Sequence, residues 1–533
     1  MRIERHAVAA ERLREAAEHF AERIHRAVDL QEQAGRDPDG WRLIGDDLLD
    51  YAGARSAENP EIDHDAFTAL HSAAEARLFA LELATAPPDE PLAVVLPYTG
   101  TGVSYHGTSE QVRRADPVHG PDWIEALYLW IVTSDPRRRQ SAFDRAAGDA
   151  PSPYVQALYD LVFRDGGRTA DLMATPRSDQ ERALHALATG DQDAFWQAIA
   201  AMLTGPVDAD PPPGTLLPTA PLALTALAVR RNGWAQRIES DYLPRRLTGG
   251  ATRTGPAVGP VERPPFPDDV SKQLDVIDRG TPSMIETVWK PALKAERLPL
   301  ALTMNARNQL QRFRLRSVLD PEGRDPRQRE ALELASQLTA ALFAVTAATE
   351  DTVRVAIGGR TAPLKAAPMT SEATSFTWNT AMALALITGS EERRDLLLSV
   401  HPDDLAAHMS PVHRAYHVAL RTYLSAGPAG RAADTAVALV KEISDARPDF
   451  LGPPAAPLSR LVDGDREGFA AALTDALAAH RDHYGVASRR DDPDGLIDFG
   501  VLALACHARR DLGWEIPAAP GYLPAAIVDP DGG

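Results

Sequence analysis

Two stretches of twelve residues, GWAQRIESDYLP at Gly233–Pro244 and GWEIPAAPGYLP at Gly513–Pro524, follow one pattern. Each begins with Gly-Trp and ends with Tyr-Leu-Pro, and the tyrosine follows the tryptophan by eight positions both times. A pattern that recurs with fixed spacing indicates an internal repeat, and a repeat constrains the architecture more than any single segment does.

The repeat extends upstream of both stretches. The matched residues are Thr133, Asp135, Arg138 and Arg139 after Trp123, and Thr388, Ser390, Arg393 and Arg394 after Trp378. Between these blocks and the closing stretches, Gly190-Asp191 precedes Phe195 as Gly464-Asp465 precedes Phe469. The spacing predicts duplication of one unit of about 250 residues.

We therefore predict two homologous helical domains in tandem, a first copy over 1–247 and a second over 270–533. Between them, segment 248–269 (TGGATRTGPAVGPVERPPFPDD) is dense in Gly and Pro, which is typical of a linker. A length of 533 residues also exceeds what a single core usually supports.

Most of both halves has the apolar periodicity of amphipathic helices, which predicts an all-α fold. Near the N-terminus, one face carries Leu13, Ala17, Phe20, Ile24 and Val28. Further predicted helices span 65–84, 122–132, 137–147, 153–163, 179–188, 194–203, 221–231, 327–348, 378–388, 391–400, 411–424, 432–442, 467–481 and 496–510.

Duplicated capping residues support the helical interpretation. Asp135 (before Pro136) and Ser390 are predicted N-caps at matching places. Gly190-Asp191 and Gly464-Asp465 each combine a helix stop with the cap of the next helix. Different residues performing the same task at the same place indicate that the repeat is structural.

Short β-branched runs occur at comparable places in the two halves, Leu92–Leu96 (LAVVL) and Val353–Ile357 (VRVAI). Five residues fit either a strand or a buried helix, so the all-α class allows one short strand in each half. The glycine-rich segment Thr99–Thr108 (TGTGVSYHGT) follows the first run, and Gly358-Gly359 follows the second.

The order of strand and glycine-rich segment resembles a phosphate-binding turn. Thr99–Thr108 has no lysine, however, and a P-loop ends in Gly-Lys-Ser/Thr. Ser104 also lacks the second glycine of a nucleophile elbow. We interpret the segment as a loop, and as the first place to look for a ligand.

Composition restricts the class of protein and of partner. The formal net charge of −19 disfavours nucleic acid and favours a basic partner, although acidity also serves solubility alone. Cys506 is the only cysteine, which excludes an intrachain disulfide and a Cys-based zinc site and suggests a buried apolar role. A charged N-terminus and the lack of long apolar stretches predict a cytoplasmic protein without signal peptide or membrane span.

Two histidine pairs have helical spacing, His413 with His417 and His480 with His483. Zinc needs a third protein ligand, and the sequence has no HExxH motif. No cofactor fingerprint or catalytic set of side chains stands out. We predict no metal, cofactor or catalytic site.

The repeated aromatic and basic residues have structural explanations. The four repeated tryptophans are expected to be core anchors, because they follow the helical pattern, although binding hot spots are also rich in Trp. The repeated arginines follow a helix cap, where positive charge opposes the helix dipole, so we expect them to pair with acids of their own domain. The residues are Trp123, Trp234, Trp378, Trp514, Arg138, Arg139, Arg393 and Arg394.

The closing part of each half resembles the immunity protein 49 family. The residues that carry this resemblance are Gly464, Asp465, Phe469, Arg510, Gly513, Trp514, Tyr522, Leu523 and Pro524, and in the first half Gly190, Asp191, Phe195, Arg230, Gly233, Trp234, Tyr242, Leu243 and Pro244. The resemblance implies a cytosolic, mostly helical protein of a bacterial polymorphic toxin system that binds and neutralises a cognate toxin. It implies no catalytic residue.

The resemblance, the acidity and the missing catalytic set favour a non-enzymatic immunity protein with a cognate, basic toxin as partner. A helical scaffold that holds several partners along its surface is the alternative. A third hypothesis is an enzyme that uses the Thr99–Thr108 segment and nearby histidine or acidic side chains. Full cellular function of Ser104→Ala or His106→Ala variants would contradict it.

Overall fold

The computed structural model describes residues 1–87, 89–105, 120–147, 152–249, 260–267, 269–405, 411–426, 431–446 and 451–530. Helices account for 65% of the structure, and the strands form two short two-stranded sheets, so the predicted all-α class is confirmed. The chain divides into two compact units, unit 1 (Met1–Arg253 and Val486–Ser488) and unit 2 (Thr254–Gly485 and Arg489–Gly533). Within the predicted linker 248–269, residues 250–259 and 268 lie outside the described residues.

Unit 1 is built from helices and one hairpin. In chain order its elements are α1 (Ala10–Ala17), α2 (Phe20–Ala34), α3 (Pro38–Glu58), α4 (His64–Thr85), β1 (Leu92–Val95), β2 (Gly102–Tyr105), α5 (Gly120–Thr133), α6 (Gln140–Ala147), α7 (Pro153–Phe163), α8 (Thr169–Leu172), α9 (Asp179–Thr189), α10 (Gln192–Leu203), α11 (Thr219–Arg230) and α12 (Arg245–Thr248). Short 3₁₀ helices span Pro136–Arg139 and Pro213–Leu216.

Unit 2 has a similar succession of elements. They are α13 (Val270–Val288), α14 (Leu298–Leu319), α15 (Pro326–Thr346), β3 (Thr352–Ile357), β4 (Arg360–Lys365), α16 (Ser375–Thr388), α17 (Glu391–Ser399), α18 (Pro411–Ala426), α19 (Arg431–Ala446), α20 (Ala455–Asp463), α21 (Arg466–Tyr484), α22 (Phe499–Arg510) and α23 (Ala525–Val528). Its 3₁₀ helices span Ala295–Arg297, Pro402–Asp404 and Pro493–Leu496.

Each unit has its own core, built around a pair of long helices that pack together, α3 with α4 and α14 with α15. A β-hairpin follows the pair, and a central helix follows the hairpin, α5 or α16. Trp123 on α5 and Trp378 on α16 are completely buried. Burial of these large side chains contributes strongly to each core.

The predicted caps are confirmed. Asp135 accepts a hydrogen bond from the Arg137 backbone N–H (3.1 Å), and Ser390 accepts one from the Arg393 N–H (3.4 Å). The helix stops Gly190 and Gly464 both have left-handed backbones, with φ of 80° and 66°. Their neighbours then cap α10 and α21 as predicted.

The hairpins correct the interpretation of the glycine-rich segment. The two β-branched runs form strands β1 (Leu92–Val95) and β3 (Thr352–Ile357). Gly102–Tyr105 is also a strand, paired antiparallel with β1, and not a loop. The strands can approach closely at Gly102, because a Cβ there would lie 2.7 Å from the Val94 carbonyl oxygen and glycine has none. Within the described residues, each unit therefore has two strands where the pattern indicated one.

The N-terminal apolar face is divided between two helices. His19 has a left-handed backbone with φ of 51°, which ends α1 and lets the chain start α2 in a new direction. Phe20, Ile24 and Val28 on α2 are buried, whereas α1 buries none of its residues. The periodicity therefore predicted the buried residues of α2 and missed the break.

Candidate functional site

A cavity of about 720 Å³ lies within unit 2, between α14, α16, α18 and α22. Segments 451–454 and 492–498 and the end of α21 complete its walls. Its apolar wall is formed by Leu310, Leu386, Leu420, Ile497, Phe499 and Leu504. A concave, mostly apolar cavity with a few polar groups is the usual form of a binding site.

A small residue on α16 leaves space for the cavity. Ala383 lines it, five positions after the repeated Trp378. The residue five positions after Trp123 in unit 1 is Tyr128, whose side chain is buried. The Tyr128 hydroxyl is hydrogen-bonded to the hydroxyl of Tyr154 and accepts from the Gln180 amide (2.5 Å). The side chain that fills this position in unit 1 is thus absent from unit 2.

His480 and Asp498 form the buried polar end of the cavity. The side chain of His480 is 3% exposed, and its Nε2 lies 3.1 Å from the Gly495 carbonyl oxygen. Since a carbonyl only accepts, Nε2 carries the proton, and Nδ1 of the neutral ring is an acceptor. Nδ1 has no hydrogen-bond partner among the described residues, and Asp498 Oδ2 lies 3.8 Å away.

Burial shifts the pKa values of His480 and Tyr416 in this cavity. It lowers the pKa of His480 below its ordinary value, against the opposing effect of the Asp498 carboxylate. It also raises the pKa of the Tyr416 phenol, to which the charge of Asp498 adds. The neutral imidazole of His480 therefore faces the side chain of Asp498, and both groups have acceptor atoms at this end of the cavity.

The outer rim combines exposed apolar and charged side chains. Phe376 is 47% exposed and stands edge-on to the His413 ring, with centroids 5.0 Å apart. Arg314 is paired with Asp494 and lies over the Phe499 ring. The rim can thus contact both apolar and charged groups of a partner.

The members of the two histidine pairs have different surroundings: His413 and His480 line the cavity, whereas His417 and His483 pack against aromatic rings. His417 stacks on Trp378 with ring centroids 3.6 Å apart, and its Nδ1 lies 3.4 Å from the Ser375 hydroxyl. His483 contacts Tyr484, while His480 lines the cavity. Among the described residues, no three or more His, Cys, Asp or Glu side chains are grouped to hold a metal ion.

The glycine-rich segment forms the hairpin instead of a separate site. Gly100, with φ of 68°, lies in the turn, and Ser104 is an exposed residue of β2. Residues 106–108, which include His106, lie outside the described residues. Gly358-Gly359 forms the two-residue turn of the second hairpin with positive φ at both positions, as a type I′ turn requires.

The repeated tryptophans make the same contacts in both units, and the core prediction is confirmed for Trp123 and Trp378. Their indole N–H groups donate to the carbonyls of Phe143 (3.1 Å) and Leu397 (2.9 Å). Trp234 and Trp514 are half-buried, and each packs edge-on against its repeated phenylalanine, Phe195 or Phe469, at 5.4 and 5.5 Å. These side chains are part of the scaffold.

In each unit one of the two repeated arginines pairs with an acid of its own unit, but the paired arginine is at a different position of the repeat in the two units. Arg139 pairs with Glu75 on α4 (3.1 Å), and Arg393 pairs with Glu333 on α15 (2.6 Å). These arginines stand at +16 and +15 from their tryptophans, because the 3₁₀ helix Pro136–Arg139 alters the register. Arg138 is exposed, and Arg394 lies 4.0 Å from Glu391.

The buried role expected of Cys506 is confirmed. Its side chain is completely buried, and burial raises the pKa of its thiol to about 11. A thiol in that state is a poor nucleophile at neutral pH.

The residues that form the cavity are not grouped by any pattern in the sequence. Helical spacing pairs His480 with His483, whereas the neighbour of His480 in the structure is Asp498, eighteen positions later and beyond α21. Two signals were available: Asp498 immediately precedes an apolar run as an N-cap does, and the repeat places Ala383 opposite Tyr128.

In the described residues, no helix combines the length and apolar character needed to cross a membrane.

Comparison with known proteins identifies the family. The search of curated proteins and the search of solved structures gave no match. The sequence model of immunity protein 49 matches residues 164–247, in unit 1, and 320–527, which include α16, α18 and α22. Since these segments cover more than half of the 533 residues, the chain belongs to the immunity protein 49 family.

Proposed function

We propose that this protein is a non-enzymatic, cytoplasmic immunity protein that binds a cognate bacterial toxin and blocks its active site. The observation that carries the proposal is the family match, which has one segment in each unit. Steric cover and complementary charge would suffice for neutralisation, so no reaction is required of the immunity protein itself.

We further propose that the two units arose by duplication, as domains 1–247 and 270–533 joined by 248–269. The shared order of elements supports this, and so do matched contacts in the closing segments. Arg230 donates to the Ile131 carbonyl in unit 1 as Arg510 donates to the Ile387 carbonyl in unit 2. Matching hydrogen bonds between residues that are far apart in the chain are expected when both units derive from one ancestral unit.

The negative net charge of the chain supports a basic toxin as the binding partner. A net charge of −19 accelerates encounter with a positively charged partner, and salt screens that attraction. We expect the association rate to fall at least tenfold between about 20 mM and 500 mM salt, with a smaller change in the dissociation rate. An association rate that is independent of salt would contradict a basic interface.

The function can be tested in two steps. Tagged protein is used to capture partners from lysate of its own host at low and high salt, and mass spectrometry identifies them. A captured protein with a toxin-like domain is then expressed with and without this chain, and growth is measured. Rescue of growth supports immunity, whereas several substoichiometric partners and no rescue would support the scaffold alternative.

A further inference from the structure

At the polar end of the unit 2 cavity, no described donor is hydrogen-bonded to His480 Nδ1. His480 Nδ1 and Asp498 Oδ2 lie 3.8 Å apart, and both are acceptors. Asp498 Oδ1 already has a donor, because it caps α22 by accepting a hydrogen bond from the Val501 N–H (3.0 Å). A buried acceptor without a partner is costly, so a donor placed between these two atoms is favoured.

A cationic donor fits this place better than a neutral one. A hydrogen bond from a charged donor to a carboxylate is roughly twice as strong as a neutral one. The arginines of the rim do not fill the role, because Arg314 is paired with Asp494 and Arg307 is exposed on α14. The apolar wall is suited to the aliphatic stem that a lysine or arginine carries.

Exposed apolar side chains near the rim point to a protein as the bearer of that cation. Phe376 on the rim is 47% exposed. Met304, 50% exposed, lies on α14 between the lining residues Thr303 and Arg307, and Leu300, also 50% exposed, lies one turn earlier. Exposed apolar residues grouped around a pocket are typical of protein interfaces, where a buried anchor side chain dominates binding.

We propose that the unit 2 cavity receives a lysine or arginine side chain of the toxin, with its charged end between His480 and Asp498. This inference rests on the proposed immunity function and assigns the anchoring contact to unit 2. Unit 1 does not offer the same pocket at this position, because the Tyr128 side chain fills it.

The test uses n-butylguanidinium as a probe of the arginine side chain and n-butanol as its neutral counterpart, with the full-length protein. We expect saturable binding of the cation with a Kd of about 1–20 mM, measured by calorimetry and by NMR of ¹⁵N-labelled histidines. The His480 signal should shift, and His480→Gln identifies it. Butanol should bind at least tenfold more weakly.

Two variants and a control locate the binding. Asp498→Asn removes the charge but keeps a good N-cap, and should weaken binding of the cation at least tenfold. Ala383→Tyr should abolish binding by filling the cavity, and circular dichroism checks its fold. Asp463→Asn, an exposed acid at the end of α20 and outside the cavity, should bind as the unaltered protein does.

Either of two results would overturn the inference. One is the absence of saturable cation binding by folded, unaltered protein up to 50 mM probe. The other is equal binding by Asp498→Asn. The probe experiment involves no toxin, so it is independent of the growth assay. Rescue of growth without probe binding would contradict this inference and would still support the immunity function.

Discussion

At the scale of single residues, two glycines have the same backbone conformation in the two units. Gly233 and Gly513 both have a φ of 68°. The next residue in each case, Trp234 or Trp514, donates its backbone N–H to a carbonyl six positions earlier, at 3.1 and 2.9 Å. This is the Schellman ending of a helix, which requires a left-handed residue.

Replacing either glycine by alanine should destabilise its unit by about 1 kcal/mol, because an L-residue is strained in the left-handed region. No atom lies within 4 Å of the added Cβ at either position, so the backbone alone is responsible. Urea unfolding followed by circular dichroism measures the effect. The control is Gly280→Ala within α13, where the space is also open and no positive φ is required. It should instead stabilise by about 0.5–1 kcal/mol.

His417 should make stability depend on pH. Burial, aided by the positive charge of Arg421, His401 and Arg414, lowers its pKa from 6.5 to about 3. The unfolded chain therefore binds this proton more tightly than the folded one, and stability falls as pH drops from about 6.5 toward 3. Between pH 7 and pH 5 the loss should be about 2 kcal/mol.

The variant His417→Phe keeps an aromatic ring against Trp378 and should lose this part of the pH dependence. The measurement is the free energy of unfolding at pH 7 and pH 5 for both proteins. His19→Asn, at an exposed site where Asn tolerates the left-handed backbone, is the control and should change the difference little. Equal pH dependence of His417→Phe and unaltered protein would contradict the prediction.

At the scale of elements, two long helices missed from the sequence, α3 and α14, have buried polar or small residues. On α14, Asn305, Gln309, Arg312 and Arg316 are buried, which interrupts the apolar periodicity. On α3, three glycines let neighbouring groups approach closely; a Cβ on Gly53 would lie 2.0 Å from the Pro213 carbonyl oxygen. Periodicity detects helices with one apolar face, and both of these are buried over most of their surface.

Ion pairs explain how α14 tolerates buried arginines. Asp278 on α13 pairs with Arg312 (2.7 Å) and with Arg316, whose side chains are 7% and 4% exposed. Asp325, the cap of α15, also pairs with Arg316 (3.2 Å). The network therefore joins α13, α14 and α15.

Asp278→Ala should destabilise unit 2 by about 3 kcal/mol, because it leaves two buried guanidinium groups without their shared carboxylate. Denaturant unfolding measures the loss. The matched control is Asp193→Ala, which breaks an exposed pair with Arg237 and should leave stability unchanged within error. A similarly small effect at Asp278 would show that the network contributes little.

At the scale of the whole molecule, each unit has a separate apolar core. The unit 2 core draws on residues from Val261 to Val528, and the unit 1 core on residues from Ile3 to Leu247 together with Val486. Secondary structure that depends on separate cores should survive a cut between them.

A protease site inserted between Arg253 and Thr254 tests this directly. After cleavage, the far-ultraviolet circular dichroism should keep at least about nine tenths of its helical signal, because neither core is cut. The uncleaved insertion variant is the reference. Loss of a large part of the signal would mean that an intact chain is needed to maintain one of the units.

The all-α class, the helix caps, the buried repeated tryptophans and the family could all be predicted from the order of the amino acids. These properties depend on residues that are close together in the chain, such as Asp135 before its helix or Gly233 just after α11. Such local preferences of the backbone can be predicted from residue type and spacing. The pairing of β2 with β1, the buried arginines of α14 and the cavity could be recognised only in the folded chain. His480 and Asp498 belong to different elements, and Ala383 leaves space only because of the helices that surround it. Such features depend on how side chains from distant segments pack, and no local pattern records that.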